Sequence, residues 1–186
     1  KLKEVEEKEY NGLDVFKGCG KLENVTIEEG LEKIPAYLFR NCSGIKEIII
    51  PSSVKEIGKR AFKNCSGLTK VSYAGGNNVE KLGTGAFANC TKLTGIGIGE
   101  KLKEVEEKEY NGLDVFQGCG KLENVTIEEG LEKIPAYLFT NCSGIKEITI
   151  PSSVKEIGKR AFNNCSGLTK VSYAGANNVE KLGTGA

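Results

Sequence analysis

Histidine, tryptophan and methionine are all missing from this chain. Without histidine there is no imidazole base for a nucleophilic triad, no His-ligated zinc and no side chain that titrates unperturbed near neutrality. An excess of charge of either sign is missing too. The 26 Lys+Arg face 25 Asp+Glu, a net charge of +1, so no overall field draws in nucleic acid or an anionic membrane. No apolar run approaches the roughly 18 residues that a membrane-spanning helix needs, and no signal-peptide pattern is present, which leaves location open. The expectation is a non-enzymatic chain with no cofactor, no metal site, no nucleic-acid partner and no membrane insertion. Glycine and cysteine are what it does have, 24 and 7 in 186 residues.

The sequence repeats itself on two scales. Residues 1–86 and 101–186 align without a gap and differ at five positions: Lys17/Gln117, Arg40/Thr140, Ile49/Thr149, Lys63/Asn163 and Gly76/Ala176. Inside this 100-residue period lies one of about 23, with units that begin at Leu22, Ile45, Leu68, Leu93, Leu122, Ile145 and Leu168 and partial units at both ends. Periods of this length mark stacked repeats, because one such unit cannot bury its own apolar side. The whole chain is therefore expected to form a single solenoid domain.

The unit reads L-x-x-I-x-I-P-x-S-V-x-x-I-G-x-x-A-F-x-x-C-x-x. Positions 4 and 6 are apolar in every copy while position 5 varies, the alternation of a strand with one face inward. Pro51 has no amide donor and suits the point where the chain leaves the ladder. Val54 and Ile57 return to the interior through a second short extended piece. Gly58, or Pro35 and Pro135 in the matching place, then precedes what reads as a short helical turn, since proline fits a first helical position. Position 20 is Asn41, Asn64, Asn89, Asn141 and Asn164, or Gly18 and Gly118, residues that enter the left-handed region cheaply and so read as caps ending each helical turn. Rungs about 4.8 Å apart predict a parallel sheet along one side, with Phe16, Phe39, Phe62, Phe87, Phe116, Phe139 and Phe162 as one interior column. Two insertions, at Ala74–Asn78 and within Glu106–Leu113, are expected to bulge as loops and leave the stack intact.

The phrase IPSSVKEIGKRAFKNCSGLTKV at residues 50–71 resembles the leucine-rich repeats of the BspA-like, or Treponema pallidum-type, class, and the resemblance covers essentially the whole chain. It implies an α/β repeat solenoid: a right-handed superhelix with a parallel β-sheet on one side and short helical turns on the other. It also implies a secreted or cell-surface protein that acts in adhesion or protein binding without catalysis.

Several constellations invite chemistry. Cys19, Cys42, Cys65, Cys90, Cys119, Cys142 and Cys165 recur at position 21. Zinc needs paired spacings that converge on one ion, whereas here each turn offers one sulfur to a line. Disulfides between rungs are within reach by distance, yet equivalent side chains point the same way and seven is odd. The column is read as buried thiols that serve as small packing residues. N-x-[ST] matches at Asn24, Asn41, Asn64, Asn89, Asn124, Asn141 and Asn164 are mostly generated by the cap asparagine itself. Neither the Gly95–Lys101 run nor Gly83-Thr84-Gly85 completes a nucleotide-binding fingerprint, and the charged runs at 1–9 and 101–109 mix signs as solvated segments do.

Two surfaces are candidate readers of a partner, a protein or extracellular-matrix ligand. Lys17, Arg40 and Lys63 occupy position 19 on consecutive rungs, where the second copy has no cation. The difference leaves the copies at +2 and −1, and both surface drift and an anionic contact made by the first copy alone explain it. The strand face presents Glu47, Ile49 and Lys70 with Asn24, Thr26 and Ser72, and carries no aromatic anchor of the kind that dominates binding hot spots. Both ends of the sequence interrupt a unit and neither resembles a polar cap, which predicts further repeats or domains beyond them, or end-to-end self-association. The non-enzymatic reading divides into two, an interaction module and a structural spacer that displays another domain.

Overall fold

The computed structural model describes residues 15–106 and 113–186. Among them run thirteen strands, β1 (Lys33–Ile34), β2 (Glu47–Pro51), β3 (Glu56–Ile57), β4 (Lys70–Ala74), β5 (Lys81–Leu82), β6 (Gly95–Ile98), β7 (Glu104–Val105), β8 (Asn124–Ile127), β9 (Lys133–Ile134), β10 (Glu147–Pro151), β11 (Glu156–Ile157), β12 (Lys170–Ala174) and β13 (Lys181–Leu182). They alternate between two series, as the alternating apolar positions and the later Val-x-x-Ile pair require. The four- and five-residue strands come from positions 3–7 and pair in parallel in the orders β2-β4-β6-β8 and β10-β12; the two-residue strands pair in the orders β1-β3-β5-β7 and β9-β11-β13. The register is that of the repeat, with Ile48 beside Val71 and Ile57 beside Leu82.

The interior follows the repeat position by position. Ile45, Leu68, Leu93, Leu122 and Ile145 are buried at position 1, and Ile48, Ile50, Ile96, Ile98, Ile148 and Ile150 at the inward strand positions. All seven phenylalanines stack face to face, with ring centroids 5.3–6.0 Å apart and interplanar angles of 5–19°. Such offset stacking adds to the burial of the rings themselves.

The expected short helical turns are not there: among the described residues the third side of each rung is a run of β-turns. Bonds from residue i+3 to residue i do form, such as Arg40 N–H to Tyr37 O (2.9 Å) and Cys42 N–H to Phe39 O (3.1 Å), but the intervening amides donate to the next rung, Phe39 N–H to Ala61 O (2.9 Å) and Asn41 N–H to Lys63 O (2.8 Å). A helix would need those amides for itself. It is also interrupted twice per turn by left-handed residues, at position 20 (Asn41 φ 65°, Asn64 φ 61°) and at position 16 (Tyr37 φ 63°, Arg60 φ 54°). Position 20 was expected from its asparagines. The left-handed tyrosine and arginine carry a strain of roughly 1 kcal/mol each that the surrounding stack holds in place. At position 14 the glycine is set by close approach, not by helix chemistry: a Cβ on Gly58 would lie 2.6 Å from Ala36 N of the preceding rung.

The insertion at Ala74–Asn78 leaves the phenylalanine column intact, Phe62 to Phe87 being 5.3 Å, yet it narrows the ladder between β4 and β6 to the single pair Lys70–Gly95. Side chains take over there. Asn77 is buried and donates through Nδ2 to Gly97 O (3.1 Å), and Tyr73 Oη donates to the same carbonyl (3.1 Å). The column also spans the second insertion, Phe87 to Phe116 being 5.6 Å, while residues 107–112 of that insertion lie outside the described residues.

Candidate functional site

All seven cysteines are free. Cys42, Cys65, Cys90, Cys119 and Cys142 are buried, Cys165 is half-buried and Cys19 is exposed at the first described rung. They are more than apolar filler. Cys42, Cys65, Cys90, Cys119 and Cys165 each donate Sγ–H to the carbonyl of the column phenylalanine one rung back, at 2.9–3.2 Å, so the thiol adds to the rung-to-rung backbone bonds of the turn side. Burial pushes the Cys65 thiol up to about 12, and burial also raises Cys42, Cys90, Cys142 and Cys165. A thiol held neutral in this way is a poor nucleophile and a poor metal ligand.

Beside the thiols runs an amide ladder. Asn64 Nδ2 donates to Asn41 Oδ1 (2.8 Å), Asn89 Nδ2 to Asn64 Oδ1 (2.9 Å) and Asn164 Nδ2 to Asn141 Oδ1 (3.0 Å). At Gly118, where the ladder has no asparagine, Asn141 donates to Asp114 Oδ2 instead (2.8 Å). At Asn64, Asn89, Asn141 and Asn164 the glycosylation-like matches therefore fall on amide nitrogens already engaged along the stack.

The strand face is open. Glu47, Lys70 and Ile49 are exposed, Ile49 at 55%. Its neighbours on the face are small or polar, and Gly95 and Gly97 leave the middle of the face without side chains. In the second copy Lys170 pairs with Glu147 (3.0 Å), and Thr149 Oγ1 lies 3.5 Å from Ser172 Oγ. The face is thus a mosaic of polar groups with one exposed isoleucine.

The turn side of the first copy differs. Lys17 is exposed and Arg40 and Lys63 are half-buried, on successive rungs whose phenylalanine rings step by 5.7 and 5.4 Å. The sequence comparison missed a fourth cation, Arg60, because it is identical in both copies; its place at position 16, one turn from position 19, is the signal that finds it. The Arg40 and Arg60 Cζ atoms lie 5.8 and 5.9 Å from the centroid of the same ring, Tyr37. Both Nε atoms are buried without a hydrogen-bond partner. The Lys63 ammonium is held below its ordinary value by burial, then by Arg60 and Arg40. In the second copy Thr140 is buried and donates Oγ1 to Arg160 O (2.7 Å).

One recess of about 590 Å³ opens at the first described rungs, lined by Phe16, Val25, Ile27, Leu31, Leu38 and Phe39 among others. The matching surface of the second copy is the one β6 covers by pairing with β8, so this is a stacking face and not a ligand cavity.

Comparison with known proteins agrees with the repeat geometry. The family described as BspA type leucine rich repeat region, in six copies, matches residues 11–114 and 109–186. Among curated proteins no sequence matches. Among solved structures, a leucine-rich repeat protein from Bacteroides ovatus is similar at 28% identity over 91% of this chain, with a TM-score of 0.68. The Treponema pallidum leucine rich repeat protein is similar at 25% identity over 84% of the chain, with a TM-score of 0.65. This chain spans 42% of the first protein and 69% of the second. The fold is a parallel β-solenoid of the kind generally found without catalytic activity, and the chain belongs to the BspA-type leucine-rich repeat family.

Proposed function

We propose that the chain is a non-catalytic protein-interaction module, exposed at a cell surface or secreted, that binds a protein or extracellular-matrix ligand through its outer surfaces. Family membership over nearly the whole chain carries this reading. The open strand face around Glu47, Ile49 and Lys70 supports it as one contact surface: many modest polar contacts, repeated in both copies, suit a partner that is itself extended or repetitive. Surface location rests on the family resemblance. The test is binding of the purified chain to immobilised extracellular-matrix proteins, with Glu47→Lys/Ile49→Glu as the strand-face variant. Saturable binding weakened by that variant supports the reading, and a chain that binds none of them contradicts it.

A second reading, a spacer that displays another domain, draws on the near-identity of the two copies, because duplication adds length whatever the face contacts. A spacer binds nothing in the same assay. End-to-end self-association is also proposed, because a repeat unit cannot bury its own apolar side and stacks on a neighbour. Sedimentation that shows a strict monomer at high concentration removes it.

A further inference from the structure

Arg40, Arg60 and Lys63 cluster on the turn side of the first copy. Many lysines elsewhere answer glutamates across neighbouring rungs, as in Lys33–Glu56 (3.3 Å), Lys81–Glu104 (3.2 Å), Lys103–Glu80 (2.7 Å) and Lys133–Glu156 (2.9 Å). Among the described residues no carboxylate pairs with Arg40, Arg60 or Lys63; what surrounds Lys63 is more positive charge. Like charges held together without a counter-charge raise the local potential and favour an anion that brings one. The guanidiniums are also held in place. Arg40 and Arg60 share the Tyr37 ring, and the Arg60 stem lies beside Gly85, whose Cβ position is 3.4 Å from Arg60 Cγ. Side chains already fixed by packing lose less entropy when they bind.

Spacing selects the shape of the anion. The row steps by the rung, and the rings next to Lys17, Arg40 and Lys63 are 5.7 and 5.4 Å apart. Residues three or four apart on an α-helix have Cβ atoms about 5–6 Å apart. Alternate residues of an extended strand are about 6.6–6.8 Å apart and drift out of register by more than 1 Å per step. Guanidinium forks match carboxylates two bonds at a time.

From these observations we propose that Arg40, Arg60 and Lys63, extended by Lys17, form a docking row for an acidic α-helix of a partner protein, with its carboxylates at i, i+4 and i+8 along the solenoid axis. The proposal rests on the interaction-module reading and names the partner's chemistry. It assigns the site to the first copy alone, since Gln117, Thr140 and Asn163 stand in the second.

The probe is a labelled alanine-based helical peptide with glutamates at i, i+4 and i+8, titrated by fluorescence anisotropy. The variant is Arg40→Thr/Lys63→Asn, whose residues the second copy already accommodates in the same fold. The expected result is binding that weakens as salt rises, and a loss of at least about tenfold both in the variant and for a peptide of equal composition with glutamates at i, i+2 and i+4. Equal binding by wild type and variant, or by both peptides, overturns the proposal. So does tighter binding of a heparin oligosaccharide that the same variant abolishes, which assigns the row to a sulfated polysaccharide. Failure of the peptide with matrix-protein binding retained removes the docking row and leaves the interaction-module reading standing; failure of both removes both.

Discussion

The two copies in this chain share their interior and part company at its surface. None of the five differing positions belongs to the phenylalanine, cysteine or inward-facing aliphatic columns; Lys17, Arg40, Ile49, Lys63 and Gly76 all reach solvent at least in part. A column residue must fit the rung on each side at once, so close packing penalises any change there. A surface residue is under no such double constraint. Asn-Val-Thr-Ile forms strand β8 at residues 124–127, beside β6, whereas the same four residues at 24–27, with no described strand before them, form none. At the following junction, where the two-residue strands pair but the longer strands do not in either copy, the same carboxylate clamp recurs. Glu29 accepts from Ser52 N–H (2.9 Å) and Ser53 N–H (3.1 Å), and Glu129 accepts from Ser152 Oγ (2.6 Å) and Ser153 N–H (2.8 Å). These bonds hold both carboxylates below their ordinary range.

Pairs of equivalent residues turn the comparison into experiments. The largest effect is expected in the phenylalanine column. Phe62 is fully buried between Phe39 and Phe87, while half-buried Phe162 stacks on Phe139 alone among the described residues. Phe62→Ala should cost about 3–5 kcal/mol in denaturant unfolding, and Phe162→Ala about half as much. Equal losses would mean that burial at a rung does not depend on its neighbours.

The thiols come next. A thiol whose value is raised in the folded chain stabilises it below the unfolded value, near 9, and that stability is lost as pH climbs toward about 12, the Cys65 value. The unfolding midpoint should therefore hold steady to about pH 9 and then fall. Cys65→Ala should flatten that fall more than Cys165→Ala, and native labelling with a thiol reagent should reach Cys19 and Cys165 well before the other five. Rapid labelling of Cys90 would contradict the buried column.

Smaller losses are expected in the amide ladder. Asn64 both donates to Asn41 and accepts from Asn89, in the left-handed region. Asn64→Ala should cost about 1–3 kcal/mol, since it loses the ladder and strains the backbone, and Asn64→Gly should recover the backbone part. The smallest effect is expected where the copies already differ. Ile49→Thr should change stability by less than about 0.5 kcal/mol, and a larger loss would give that exposed isoleucine a structural role.

How much of this was legible in the sequence depends on whether a position's demand shows in its residue type. The columns and the left-handed position 20 were legible, because apolar spacing and Asn/Gly choice follow directly from burial and backbone sterics. The turns read as helices because proline and asparagine stood where helix ends put them. What overrode that reading, the left-handed backbone at Tyr37 and Arg60, leaves no mark, since neither residue type favours that conformation. The thiol-to-carbonyl bonds were also invisible, as a cysteine in a column reads the same whether or not its hydrogen is used. Arg60 escaped notice because a comparison of copies reveals only what changed.

In the proposed division of labour the shared interior builds the stack and the cations that differ between the copies hold the acidic helix. Transplanting the first copy's cations into the second, Gln117→Lys/Thr140→Arg/Asn163→Lys, tests it most directly by calorimetric titration with the acidic helical peptide. The predicted result is a stoichiometry that rises from one peptide per chain to two, with the unfolding midpoint unchanged. A stoichiometry that stays at one in the folded variant would contradict it.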